Sequence, residues 1–143
     1  MMKTLSSLTL AVLVTLVTLS TAHAKCAKNR YGDIMCSKAP YTGAMADRYG
    51  DVVCGPGQCI FDRYQDVVCS KDAGGSAMKD RYDDVLTGPG SCQKDRYGDV
   101  KCSKVPYGDV STDRYGDVVC EGGCQAGVPG QAGNASDCEA ARN

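Results

Sequence analysis

The one long apolar run in the chain is Leu8–Leu19, broken only by threonine. Lys3 precedes it and Ala22-His23-Ala24 follows, the layout of an export leader cleaved after Ala24. The run is about a dozen residues, short of the roughly 20 that a spanning helix needs. No second apolar run follows, so residues 1–24 are expected to be a signal peptide and the mature chain to be periplasmic or extracellular.

Beyond residue 24 most of the large apolar residues follow one recurring polar stretch, usually in pairs. The clearest copy is DRYGDVVC, residues 47–54. Type I turns favour Asp or Asn first and Gly fourth, which Asp47-Arg48-Tyr49-Gly50 supplies. A type I turn followed by a left-handed residue forms a three-residue hairpin loop with a G1 bulge. Asp51-Val52-Val53-Cys54 is then the outgoing strand, with β-branched residues suited to a pleat. Gln65 and Asp83 stand where the motif has Gly, so those two turns are expected to be strained or of another type.

The motif arginines are Arg30, Arg48, Arg63, Arg81, Arg96 and Arg114, spaced 18, 15, 18, 15, 18. The period is therefore 33 residues with two hairpins per unit, the sign of a tandem array or closed ring. Cys26, Cys59 and Cys92 follow this period, as do Cys36, Cys69 and Cys102; Cys54 and Cys120 share a third series, in which Thr87 replaces the middle member. Short linkers repeat as GPGQ (55–58), GPGS (88–91) and EGG (121–123), and long ones begin SKAPY, SKDAG and SKVPY. The expected fold is all-β: a small disulfide-stapled repeat protein of three 33-residue units, each of two β-hairpins, spanning residues 25–124. An open array is favoured over a closed, trefoil-like ring because the core residues are small. The Gly/Ala-rich tail, 125–143, lacks the motif and is expected to be mostly mobile apart from an anchor at Cys138.

The turn fixes a register. If Asn29 and Asp33 close the first loop, Cys26 falls opposite Cys36 at a non-hydrogen-bonded pair, where side chains approach most closely. Their Cα atoms would lie near 4.5 Å apart, within the range a disulfide accepts. The same register pairs Cys59 with Cys69 and Cys92 with Cys102. Cys54, Cys120, Cys124 and Cys138 then pair among themselves, either as Cys120–Cys124 with Cys54–Cys138 or as Cys54–Cys120 with Cys124–Cys138. Strand alternation places Ile34, Val52, Val67, Val85, Val100 and Val118 on the cysteine face, the expected core. The opposite face, with Lys101 among its residues, is half-exposed.

Composition makes the staples necessary. In residues 25–143, Val, Ile, Leu, Met and Phe number 18 of 119, too few to offset ordering entropy by burial alone. All ten cysteines lie in this part, an even count that export places in an oxidising compartment. The leader also contains the only histidine, and no C-x-x-C is present, so the usual zinc spacings are missing. Removing Lys3 with the leader leaves 15 Lys+Arg against 17 Asp+Glu, a formal charge of −2 that argues against nucleic acid and a polybasic membrane patch.

Candidate chemistry is confined to the loops. Each tip carries an Arg-Tyr pair: Arg30-Tyr31, Arg48-Tyr49, Arg63-Tyr64, Arg81-Tyr82, Arg96-Tyr97 and Arg114-Tyr115. Tyr and Arg are common interface anchors, so these twelve residues form a candidate surface for a protein or glycan partner. The competing reading is packing between neighbouring hairpins by cation–π contact, which a residue needed in every repeat fits better. Asp47/Asp51 and its four later copies set two carboxylates across a strand pair, which is unfavourable without relief. The adjacent Arg, solvent and turn capping supply relief; Ca²⁺ is the alternative. Without histidine there is no Ser-His or Cys-His nucleophile, and five alike acid pairs look architectural. The expectation is a non-enzyme with no cofactor: a structural or partner-binding module, alternatively a secreted inhibitor or toxin-like effector, or a calcium-dependent module.

Overall fold

A computed structural model describes residues 25–40 and 42–141 of the chain. The expected leader lies outside the described residues. Six antiparallel hairpins follow one another: β1 (Cys26–Lys28) with β2 (Ile34–Ser37), β3 (Gly43–Ala46) with β4 (Val52–Gly55), and β5 (Cys59–Phe61) with β6 (Val67–Cys69). The second half repeats the pattern with β7 (Ser76–Lys79) and β8 (Val85–Gly88), β9 (Cys92–Lys94) and β10 (Val100–Ser103), and β11 (Val110–Thr112) and β12 (Val118–Cys120). First strands stack on first strands along the array, and second strands on second strands likewise, least closely between β6 and β8. The array is open.

Every turn has the expected bonds. In the second hairpin Gly50 N–H donates to the Asp47 carbonyl at 3.0 Å, Asp47 N–H donates to the Asp51 carbonyl at 2.8 Å, and Gly50 has φ +80°. Gln65 and Asp83 hold the same left-handed position at φ +66° and +61°, so these tips keep the turn type and bear its strain.

The register is the one the loop dictates. Cys26 is opposite Cys36, Cys59 opposite Cys69, and Cys92 opposite Cys102. Each pair is a disulfide with Cα atoms 4.0 Å apart. Of the two schemes for the remaining four cysteines, the molecule contains Cys54–Cys138 and Cys120–Cys124. All ten cysteines are paired, as suits an oxidising environment. No helix among the described residues is long and apolar enough to cross a membrane.

The core is a thin file of valine and cystine. Val52, Val67, Val85 and Val100 are buried; Val52 packs with Cys54 and Cys138, Val67 with Cys59 and Cys69, and Val100 with Cys92 and Cys102. The terminal members of the valine series differ: Ile34 is 44% exposed and Val118 is half-buried. Among the described residues each end hairpin has a neighbouring hairpin on one side only, so its core face is half uncovered.

The tail carries regular structure of its own. Residues 124–140 run back along the whole array and add a third strand to successive hairpins. β13 (Cys124–Ala126) pairs with β10, β14 (Val128–Pro129) with β8, and β15 (Gln131–Ala132) with β6. Asn134 then bridges to Cys54, a single 3-10 turn spans Ala135–Asp137, and β16 (Cys138–Ala140) pairs with β2. Gln125, Val128, Gln131 and Asn134 face Cys102, Thr87, Cys69 and Cys54 in turn, so three tail residues advance the chain by one hairpin. The sequence has that period: Gly127, Gly130 and Gly133 recur every third residue. They cross where no side chain fits. A Cβ on Gly130 would lie 2.6 Å from Val68 Cγ1 and 2.7 Å from the Cys69 carbonyl oxygen. Composition alone resembles a flexible linker; the triplet spacing is the signal that it is not one.

Thr87 takes its place in this arrangement. It is fully buried and its hydroxyl donates to the Val128 carbonyl at 3.2 Å. The three equivalent positions Cys54, Thr87 and Cys120 therefore all hold the tail, two by disulfide and one by hydrogen bond.

Candidate functional site: the row of loop tips

Each tip is built first from its own backbone. In all six, the side chain of the first turn residue accepts two backbone N–H bonds. Asp47 Oδ1 takes them from Tyr49 at 2.9 Å and Asp51 at 3.0 Å; Asn29, Asp62, Asp80, Asp95 and Asp113 repeat the pattern. The first acid of each pair is thus a turn cap.

The second acid is engaged from outside its own hairpin. Arg30 pairs with Asp51, Arg48 with Asp66, Arg63 with Asp84, Arg81 with Asp99 and Arg96 with Asp117, at 2.6 to 3.7 Å. Each arginine belongs to the hairpin before its carboxylate. This is how the facing carboxylates are relieved: one by backbone N–H groups, the other by the preceding tip. The pairs are about half exposed, where one contributes at most ~1 kcal/mol, but five in series set the register of the whole array. Arg48 is pushed further above its ordinary pKa, first by a side-chain hydrogen bond with Tyr49 and then by Asp66.

Backbone reinforces three of the five links. Arg30 N–H donates to the Gly50 carbonyl at 2.8 Å, and Arg81 and Arg96 donate to Gly98 and Gly116 at 3.1 Å. The bond is not formed onto Gln65 or Asp83. A Cβ at Gly50 or Gly98 would stand 2.8 Å from the Cβ of the preceding arginine. Gln65 and Asp83 carry that atom, and there the arginine side chain makes the link, Arg48 reaching Asp66 and the Tyr64 carbonyl and Arg63 reaching Asp84. Between the third and fourth hairpins a cleft of about 310 Å³ opens, lined by Asp62, Arg63, Tyr64, Asp80, Asp84 and Leu86 among others.

The twelve Arg and Tyr residues are brought together in one row, with separate tasks. Each guanidinium lies over its own tyrosine ring, 4.9 to 5.3 Å from the centroid, and five also clamp the next hairpin. The cation–π contact is therefore made within a tip, and the ion pair joins one tip to the next. The tyrosines remain at the surface, 60% to 75% exposed. Among the described residues no group of three or more His, Cys, Asp or Glu side chains is gathered as a metal site. No protein-family model, curated protein or solved structure matches the chain.

Proposed function

We propose that the mature protein is an exported structural and partner-binding module whose array presents its tyrosine row to an extended partner, protein or glycan. The carrying observation is the division of labour at the tips. The arginines of the first five tips and both acids of the last five are occupied in capping and ion pairing, which accounts for their recurrence as architecture. The tyrosines take no part in the capping or in the ion pairs between tips, Tyr49 bonding only its own Arg48, and the rings are exposed in all six copies. A ring with an apolar face and a polar end buries well against either kind of partner at low entropic cost. No catalytic step and no cofactor enter this reading.

The test replaces Tyr49, Tyr64 and Tyr82 together with Ser in the mature protein. Their turn bonds come from backbone N–H groups, so the fold is expected to persist, with the melting temperature moved by a few degrees at most. Immobilised wild-type protein should retain a ligand from the exported fraction that the triple variant does not. Equal retention by both proteins would remove the tyrosine row from the binding surface.

A further inference from the structure

The ladder of tips ends with complementary groups. Arg114, on the sixth tip, has no following hairpin, and no ion pair joins it to a carboxylate among the described residues. Asp33, on the first tip, is joined to no arginine among the described residues. Asn29 donates its amide to Asp33 Oδ2 at 3.3 Å, whereas all five arginines of the ladder pair with the Oδ1 of their aspartate. The uncovered side of the first hairpin matches the sides that are covered elsewhere. Tyr31 is 75% exposed against 60–63% for the other five, and Ile34 44% against 2–7% for Val52, Val67, Val85 and Val100. On Gly32 a Cβ would meet only Lys28 Cε, at 3.7 Å, where the equivalent position at Gly50 or Gly98 is closed by an arginine.

We propose that mature copies of this chain stack head to tail, the sixth hairpin of one copy resting on the first hairpin of the next. Arg114 pairs with Asp33 of the next copy, and Arg114 N–H faces that copy's Gly32 carbonyl. The alternation of hairpins carries through the contact: the sixth has no cystine across its own strands and the first has one. The fourth and fifth hairpins already show that kind of contact inside the chain, with Arg81 paired to Asp99, Arg81 N–H donating to the Gly98 carbonyl, and Arg81 Nη1 donating to the Tyr97 carbonyl. Such an interface joins two different surfaces, so it leaves a free end at each addition and propagates as a filament. A repeat array without a polar terminal unit is open to this growth. The contact is one hairpin wide, so the association is weak and depends on concentration. It is independent of what the tyrosine row binds.

The experiment is sedimentation velocity on the mature protein, with Lys25 as its untagged first residue, from about 10 μM to about 1 mM at low salt, a range suited to a small interface. The weight-average sedimentation coefficient is expected to rise with concentration and the rise to shrink in high salt. R114D should weaken association about tenfold, since it sets two carboxylates face to face. D33R should do the same, and the two changes in one chain should restore association to within about threefold of wild type. Protein that stays monomeric throughout, or association that R114D leaves unchanged, overturns the proposal. So does a doubly substituted chain that melts like wild type but does not associate.

Discussion

Two kinds of hairpin alternate along this molecule, and they are held by different means. The first, third and fifth are stapled across their own strands by cystines of sequence separation 10. The second, fourth and sixth have Ala44, Ala77 and Val110 opposite Cys54, Thr87 and Cys120, and use that position to hold the tail instead. A stapled hairpin keeps its register by itself, since an isolated two-stranded hairpin is otherwise marginal in water. An unstapled one depends on its neighbours and on the returning tail. Local staples thus fix every other rung, and the rungs between are tied to the returning chain: the second by the long Cys54–Cys138 closure, the fourth by the Thr87 bond and the sixth by the short Cys120–Cys124 loop.

Removing each kind of tie should separate the two modes most strongly. The Cys54–Cys138 disulfide has a sequence separation of 84, the longest of the five. On the chain-entropy account it contributes about 4–5 kcal/mol, against about 3 for a hairpin staple. The double variant Cys54→Ala/Cys138→Ala is therefore expected to lose more stability than Cys92→Ala/Cys102→Ala in denaturant unfolding. Equal losses would mean that the tail is held without its terminal anchor. Full reduction should unfold both halves of the comparison together, read as loss of the native circular dichroism spectrum.

The tail can also be disturbed without touching a cysteine. Gly130→Val would bring a side chain against Val68 and the Cys69 carbonyl. Overpacking of this kind costs about 1–3 kcal/mol, and hydrogen exchange should show the loss first at β14 and β15 and in β6 and β8, which they cover. A uniform loss over all six hairpins would argue against separate modes of support. A smaller effect is expected from Thr87→Val, which keeps the shape but removes the bond to the Val128 carbonyl. About 1 kcal/mol is expected, the net worth of one hydrogen bond plus incomplete pairing of a buried acceptor, and it should fall on the fourth hairpin.

The same division explains how much of the fold is legible in the sequence. A hairpin with a turn of defined type is local: Asp first and Gly fourth fix the loop, the loop fixes the register, and the register places Cys26 opposite Cys36. The links between hairpins are not local. That Asp51 faces Arg30 rather than Arg48 depends on how consecutive tips stack, which no spacing within a motif encodes. The choice of Cys54–Cys138 depends on a tail that folds back over the array, and here a signal was present. Gly127, Gly130 and Gly133 keep a strict triplet period, hidden by a composition that resembles a linker. The core face was legible at Val52, Val67, Val85 and Val100; Ile34 and Val118 are less covered because burial there needs a further hairpin. The tip residues Arg30 to Tyr115 were legible as a repeating set, while the split between clamping arginines and displayed tyrosines needed the stacking.

The smallest expected effect tests the tips themselves. Gln65 holds a left-handed backbone at φ +66°, which costs a non-glycine residue roughly 1 kcal/mol or more. Gln65→Gly removes that strain but adds conformational freedom to the unfolded chain, which offsets about 0.4–1 kcal/mol. On these terms alone the gain is a few tenths of a kcal/mol. The substitution also removes the Cβ at this position, so the bond from Arg48 N–H to the carbonyl of residue 65, absent now, can form as it does at Gly50 and Gly98. The expected sum is stabilisation by about 0.5–1 kcal/mol, one added hydrogen bond's worth. The reverse change, Gly98→Gln, should cost more than this gain, because it introduces the strain and forces a Cβ to 2.8 Å from that of Arg81. Thermal unfolding of the two variants side by side gives the measurement. A stabilisation from Gln65→Gly with slowed exchange of the Arg48 amide shows that tip contacts tighten when glycine returns; stabilisation without it confines the effect to the turn.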